Sequence, residues 1–148
     1  LEADDAMGIY ATANPGNVIV SPDKDMRQIP GKLYNMDELV EITEEEGRQW
    51  HLIQTLAGDQ TDGYSGVPGI GIKRAVALFD ECGYCWDTVV KAFTDKDLTE
   101  DDALINAQLA KILTNKEYDF DKRTVIPWCP TDASDRADDG AELQATQA

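Results

Sequence analysis

The apolar positions of the chain divide it into helical and extended segments. Apolar residues at helical spacing predict helices over 2–13, 43–58, 73–82, 84–94 and 99–118. Short apolar runs predict strands at 18–21, 32–36 and 123–128. The first of these, VIVS, has the unbroken pattern of a strand that is buried on both faces of a parallel sheet. Together these elements predict an α/β fold with helices flanking the sheet.

Boundary signals sharpen two of these elements. Thr43 followed by Glu46 forms a capping-box pattern at the start of the second helix, and Gly58 is a typical residue for its end. After the first strand, the segment DMRQIPG predicts one short helical turn that Pro30 and Gly31 stop.

Composition bounds the class of protein. The chain has 148 residues, 42% of them hydrophobic, enough for one compact domain, which we place at 1–131. No apolar run approaches the roughly 20 residues that span a bilayer. The sequence shows no basic segment followed by an apolar one, the pattern of a secretion leader, so we do not expect secretion. The formal charge is −16, to which the acidic and sparsely apolar segment 132–148 contributes, and we predict that this tail is disordered.

Acidic residues recur where local geometry brings carboxylates together. Glu2 and Asp5 are three apart on the first predicted helix, with Asp4 about 100° around it. Asp23 and Asp25 follow the first strand, and in an extended segment both would point to one side. Asp59 and Asp62 stand three apart in a turn just past a helix end, where the helix dipole disfavours them. Their positions favour a site for Mg²⁺ or Mn²⁺, the ions that prefer oxygen ligands.

A glycine loop, residues 58–71, follows the second helix and ends in GVPGIG. Gly66, Gly69 and Gly71 permit close approach of another molecule to the main chain, including that of Val67. The next helix then opens with Lys73 and Arg74, and cations in a first turn are best explained by an anion outside the fold. We predict a helix-hairpin-helix element at about 52–82 that binds the phosphate backbone of duplex DNA. The alternative is a tight turn that only packs two helices.

The remaining chemistry-bearing residues have ordinary explanations. Cys82 and Cys85 form a C-x-x-C pair, but zinc needs two more ligands and only Cys129 and His51 remain, so reduced thiols are favoured. His51, Trp86 and Trp128 are expected to serve in packing, and the acids of TEEEG and TEDD to begin helices.

The ordered motifs EADD, SPDKD and GDQTDGYSGVPGIGIKRA resemble the 5′-nuclease family of flap endonucleases and 5′→3′ exonucleases. The later segment AQLAKILTNKEYDFDKRTVIPW is most similar to small exonucleases of tailed bacteriophages. The resemblance covers 1–128 and matches only the C-terminal part of the family pattern, which implies that the sheet is a remnant. It also implies two Mg²⁺ or Mn²⁺ ions held by seven acids, Glu2, Asp4, Asp5, Asp23, Asp25, Asp59 and Asp62.

The resemblance further implies K⁺ bound by carbonyls of the hairpin and a duplex DNA substrate with a 5′ end or flap, with RNA–DNA hybrids as a further substrate. The family's first strand and its basic arch are not matched, and TDGYSG replaces the more usual SDNIPG before the hairpin. We therefore expect a fragment that is weak or inactive alone and that needs an N-terminal nuclease portion, in cis or in trans. A phage origin would place it in the host bacterial cytoplasm.

Two other functions stay open from the sequence. A non-catalytic duplex-DNA-binding module would use the helix-hairpin-helix and not need the aspartates. An acidic cation-binding or interaction protein would show no salt-dependent binding to DNA.

Overall fold

A computed structural model describes residues 1–130, which fall into two compact units. The first unit comprises residues 1–51 and 111–128, and the second comprises 52–110 with the described residues 129 and 130. The predicted tail 132–148 lies outside the described residues.

A three-stranded mixed sheet forms the first unit together with helix α1 (Ala3–Ala13). Strand β1 (Val18–Val20) pairs in parallel with β2 (Gly31–Tyr34), which pairs antiparallel with β3 (Leu39–Ile42). Strands β1 and β2 confirm two predicted strands, whereas β3 was not predicted. With one parallel and one antiparallel pair, a mostly parallel sheet is not confirmed.

Burial of β1 corrects the prediction of a strand covered on both faces. Ile19 is buried, but its neighbours Val18 and Val20 are 44% and 57% exposed. Successive side chains of a strand point to opposite faces, so only one face of β1 packs into the core. That core consists of aliphatic side chains from the sheet, the turn that follows β1 and the returning C-terminal segment: Ile19, Met26, Ile29, Leu33, Ile42 and Ile112.

Two glycines allow helices to pack at backbone distance in the first unit. A Cβ atom on Gly8 of α1 would collide with the carbonyl oxygen of Leu113. A Cβ atom on Gly47, near the start of helix α2 (Glu44–Ala57), would collide with the carbonyl oxygen of Gln28. Any larger residue at either position must therefore move main chain.

Helix α2 begins in the first unit and ends in the second. Its predicted capping box is confirmed, since Thr43 N donates to Glu46 Oε1 and Glu46 N donates to Thr43 Oγ1, both at 3.0 Å. Its predicted end is confirmed as well, because Gly58 has a φ of 72° and donates its N–H to the Gln54 carbonyl.

Three further helices build the second unit, α3 (Ile72–Cys82), α4 (Trp86–Thr94) and α5 (Glu100–Ala110). Large apolar side chains fill its interior: Leu52, Leu56, Val67, Phe79, Trp86, Val89 and Phe93. The sequence predicted that the last helix continues to residue 118, but α5 ends at Ala110. Beyond it Ile112 enters the core of the first unit, and its N–H donates to the buried Gln28 Oε1 at 2.9 Å.

The C-terminal part of the first unit is a 3₁₀ turn, Asn115–Glu117, followed by a small hairpin. Strand β4 (Tyr118–Asp119) pairs antiparallel with β5 (Thr124–Val125). The predicted extended segment 123–128 is thus confirmed in part, as a strand of two residues.

Candidate functional site

The first pair of candidate acids lies in the opening turn of α1. Asp4 and Asp5 are in this turn, whereas Glu2 precedes it with an extended backbone, so Glu2 and Asp5 do not share a helix face as predicted. Asp5 Oδ1 accepts the backbone N–H of Leu113 at 3.0 Å. The returning C-terminal segment thereby fixes one of the carboxylates.

The second pair follows β1 and also differs from the predicted extended geometry. The helical turn predicted from DMRQIPG is present as a 3₁₀ helix, Lys24–Gln28, and Asp23 caps it by accepting the Asp25 N–H at 2.9 Å. Asp23 is exposed, whereas Asp25 is buried, with Lys24 Nζ 3.9 Å from its Oδ1. The cap directs the Asp23 carboxylate towards the Asp25 N–H at the start of the 3₁₀ helix, which spacing alone could not indicate.

Electrostatic repulsion links these two pairs within the first unit. Partial burial raises the pKa of the Asp4 carboxyl, and the negative charges of Asp23, Asp25, Asp5 and Glu2 raise it further. The first unit therefore brings together an acidic cluster, defined as Glu2, Asp4, Asp5, Asp23 and Asp25. Carboxylates that oppose one another's ionisation are an arrangement that a bound divalent cation would stabilise.

The third predicted pair, Asp59 and Asp62, belongs to the second unit and lies in the predicted turn. Asp59 Oδ1 accepts the N–H of Thr61 at 2.9 Å, and the main chains of Asp59 and Tyr64 exchange hydrogen bonds. Asp62 is exposed. Local main-chain contacts thus determine this turn.

The first half of GVPGIG is a packing element. Gly66 has a φ of 63°, and a Cβ atom there would lie 2.5 Å from the Leu56 carbonyl oxygen. Its N–H donates to Asn106 Oδ1 at 2.8 Å, and Val67 N donates to Leu56 O at 2.8 Å. The Val67 side chain is buried, so only its main chain could serve a ligand.

The second half of the loop is open. At Gly69, with a φ of 80°, and at Gly71, a Cβ atom would meet open space among the described residues. Lys73 and Arg74 are exposed in the first turn of α3, and Arg74 Nη1 donates to the Gly69 carbonyl at 3.1 Å. The two helices and their loop are present, whereas their identity as a helix-hairpin-helix stays a prediction.

Two buried amides that the sequence did not predict, those of Asn106 and Gln28, hold the glycine loop and the returning C-terminal segment in place. Asn106 receives the Gly66 N–H, and Gln28 receives the Ile112 N–H. The signal for Asn106 was available, since it is the one polar residue on a helix face that is otherwise formed by Ala103, Ala107 and Ala110.

The residues expected to serve in packing do so. His51 is buried with its ring edge-on to Trp128 at 4.8 Å, and the buried Trp86 donates its indole N–H to Glu100 at 2.9 Å. Cys85 is buried with its Sγ 3.4 Å from Thr88 Oγ1. Within residues 1–130, no helix combines the length and apolar composition that crossing a membrane requires.

Comparison with known proteins gives relatives among phage and bacterial enzymes. The chain is 30% identical over 172 aligned residues to the exodeoxyribonuclease of Enterobacteria phage T3 and to the exonuclease of Escherichia phage T7. Each alignment covers 88% of this chain and 56% of the relative, so the chain spans about half the length of both. A 5′-3′ exonuclease of Streptomyces coelicolor is 36% identical over 100 residues, covering 55% of this chain and 33% of its own. No protein-family model matches the chain.

Proposed function

We propose, because this chain belongs to the 5′-nuclease family, that it serves in metal-dependent hydrolysis of phosphodiesters in duplex DNA near 5′ ends. The acidic cluster of the first unit is the observation that carries the proposal. Its members oppose one another's charge, as the raised pKa of Asp4 reflects. The relatives in phages T3 and T7 are named exodeoxyribonuclease and exonuclease, in agreement with this chemistry.

In this proposal the acidic cluster binds one Mg²⁺ or Mn²⁺ ion, and Asp59 and Asp62 contribute to binding a second. Ions at such sites lower the pKa of a bound water, neutralise the scissile phosphate and stabilise the leaving 3′ oxygen. The role of the chain is to orient oxygen ligands. Leu113 N–H fixes Asp5, and the 3₁₀ helix that Asp23 caps presents Asp25.

The open half of the glycine loop supplies the proposed grip on the substrate. Main-chain groups at Gly69 and Gly71, with the exposed Lys73 and Arg74, suit a phosphate backbone. Carbonyls of this loop would bind K⁺, and the packed Gly66 and Val67 would keep the loop rigid. Substrates with a 5′ flap, RNA–DNA hybrids and a location in the bacterial cytoplasm are part of the same proposal.

Titration of Mn²⁺ into the 148-residue chain tests the metal site. We expect Asp23→Asn with Asp25→Asn to weaken binding by more than about 100-fold, since both substitutions remove a ligand while keeping the size of the side chain. The matched control is Glu44→Gln with Glu45→Gln, which removes the same charge at the start of α2. Equal losses in the two variants would mean general electrostatics and would refute the site.

Cleavage of a 5′-labelled flap duplex is the second measurement. We expect slow, Mn²⁺-dependent cleavage by these 148 residues alone, because the T3 and T7 relatives are nearly twice as long as the part aligned here. Any cleavage should disappear in the Asp23→Asn with Asp25→Asn variant. Cleavage that survives in that variant would contradict the assigned ligands.

A non-catalytic duplex-binding module is the second candidate, favoured by the exposure of Lys73 and Arg74 beside open main chain. It predicts that Lys73→Ala with Arg74→Ala abolishes duplex binding while Asp23→Asn with Asp25→Asn changes no activity. Loss of Mn²⁺-dependent cleavage in the aspartate variant excludes this candidate.

A further inference from the structure

The β4–β5 hairpin exposes apolar and cationic side chains together. Its tip, residues 120–123, joins Tyr118–Asp119 to Thr124–Val125. Phe120 is 55% exposed, with its ring edge-on to Tyr118 at 5.1 Å. Lys122 and Arg123 are also exposed. An exposed aromatic ring that packs edge-on against a second ring, beside two cations, is typical of a ligand-binding surface.

The backbone of the tip holds Arg123 in an unfavourable conformation. Asp119 Oδ1 accepts the N–H groups of Asp121 and Lys122, both at 3.0 Å, so its charge is engaged in the turn. Arg123 then has a φ of 55°, in the left-handed region that glycine and asparagine prefer. Glycine would give this turn at lower cost, and arginine there places a guanidinium at the tip instead.

The hairpin is anchored to the helix that bears part of the acidic cluster. Ile126 N donates to Glu117 O at 2.9 Å, and Glu117 Oε1 accepts from Thr114 Oγ1 at 2.8 Å. Asn115 N donates to Thr12 Oγ1 of α1 at 2.8 Å. All of these residues belong to the first unit, so the hairpin and Asp4 and Asp5 are parts of one compact body.

We infer that the hairpin tip binds a single-stranded segment of DNA, with one base stacked on Phe120 and phosphates at Lys122 and Arg123. Stacking on an aromatic ring accepts any base, and cations beside it follow the backbone. Lys122 and Arg123 share the tip with the exposed Asp121, and within residues 1–130 they form one of two adjacent pairs of exposed cations, the other being Lys73 and Arg74. This inference rests on the proposed function, for which it supplies a contact with unpaired nucleotides.

Fluorescence anisotropy with a labelled oligothymidine of about 12 nucleotides tests the inference on the full chain in EDTA. We expect Phe120→Ala to weaken binding about tenfold and Phe120→Leu to weaken it nearly as much, because leucine keeps apolar area but no ring face. Full affinity in Phe120→Leu would mean simple apolar contact, as for a protein partner, and would overturn the inference.

Arg123→Gly separates binding from folding. Glycine accepts a φ of 55°, so the melting temperature should not fall. The affinity for the oligonucleotide should decrease, and the slope of log affinity against log salt concentration should become shallower by about 1, as expected for the loss of one phosphate contact. Arg123→Lys, which keeps the charge, should bind nearly as the natural chain does. Unchanged affinity in both Phe120→Ala and Arg123→Gly would refute the inference.

Failure of the proposed function and failure of this inference would give different results. Asp23→Asn with Asp25→Asn should bind the oligonucleotide normally in EDTA, and Phe120→Ala should bind Mn²⁺ normally. If Mn²⁺ binding and cleavage do not depend on Asp23 and Asp25, the proposed function is refuted. If the affinity for the oligonucleotide does not depend on Phe120, the inference about the hairpin is refuted.

Discussion

Two groups of acidic residues in the first unit have opposite environments. At the start of α2, Glu46 completes the capping box with Thr43, and hydrogen bonds to the Thr43 backbone and side chain lower its pKa. Glu45 accepts two hydrogen bonds from Arg48, which chiefly lower its pKa. In the acidic cluster, burial and neighbouring carboxylates raise the pKa of Asp4.

The difference separates acids that the fold itself explains from acids that it does not. Helix-start glutamates are stabilised by the backbone N–H groups and the helix dipole. The cluster carboxylates repel one another, and Asp4 bears that repulsion while partly buried. A run of acids in a sequence is therefore informative only once its partners are known.

The response of the melting temperature to Mg²⁺ should give the largest contrast. At about 100 times the dissociation constant, the ion should raise the melting temperature by about 5–10 °C, since it binds only the folded state. Asp25→Asn should lose most of this increase, and Glu45→Gln should keep it. Equal responses in a thermal shift assay would break the distinction between the two groups.

Removal of the cap should give the next largest effect. Thr43→Ala removes the side-chain acceptor of Glu46 N–H and should lower stability by about 1 kcal/mol in urea unfolding. The increase of stability with Mg²⁺ should remain, because the cap does not belong to the acidic cluster. A lost Mg²⁺ response in Thr43→Ala would show that the two groups are coupled.

Asp4→Asn should stabilise the protein when no divalent ion is present. The folded state raises the pKa of Asp4 above its ordinary 3.8, so ionised Asp4 opposes folding at pH 7. This penalty disappears as the pH falls through the raised pKa towards 3.8. We expect a melting temperature about 1–3 °C higher than that of the natural chain at pH 7 in EDTA. The difference should shrink at pH 3.5, and a lower value at pH 7 would contradict the repulsion.

Glu46→Gln should give the smallest effect, with the opposite sign. The lowered pKa of Glu46 means that its contribution to stability is present above 4.5, the ordinary pKa, and is lost as the pH falls through the lowered value. The natural chain should therefore lose slightly more stability than Glu46→Gln on acidification from pH 6 to pH 3. Denaturant titrations at pH 6 and pH 3 give the free energy of unfolding of both chains. An identical loss between the two pH values would show that the Glu46 charge does not contribute to stability.

Local signals predicted most of the helices. Apolar spacing predicted α1, α3 and α4, and the Thr43–Glu46 pair and Gly58 predicted both ends of α2. The predicted continuation of α5 was wrong because Ile112 joins a distant core and its N–H bonds to Gln28, a residue 84 positions earlier. No local pattern contains that contact.

The candidate site shows the same division. Motif order selected the acids, and a turn was predicted correctly at Asp59 and Asp62. The short helical turn after β1 was predicted correctly, but the extended geometry expected for Asp23 and Asp25 was wrong, because the 3₁₀ helix begins at Lys24 and Asp23 caps it. The repulsion at Asp4 depends on which elements pack together, and Arg123 shows its left-handed backbone only in the folded hairpin.

Gly8 and Gly47 limit how this sequence can change over generations. Alanine is the best helix former, so glycines inside helices are ordinarily the positions where a random substitution most easily improves a protein. Here that improvement would drive a methyl group into the carbonyl of Leu113 or of Gln28. Both carbonyls belong to segments that adjoin cluster acids, because Leu113 N–H binds Asp5 and Gln28 ends the turn that contains Asp25. Retention of the acidic cluster during evolution therefore depends on glycine at two positions that have no reactive or charged side chain.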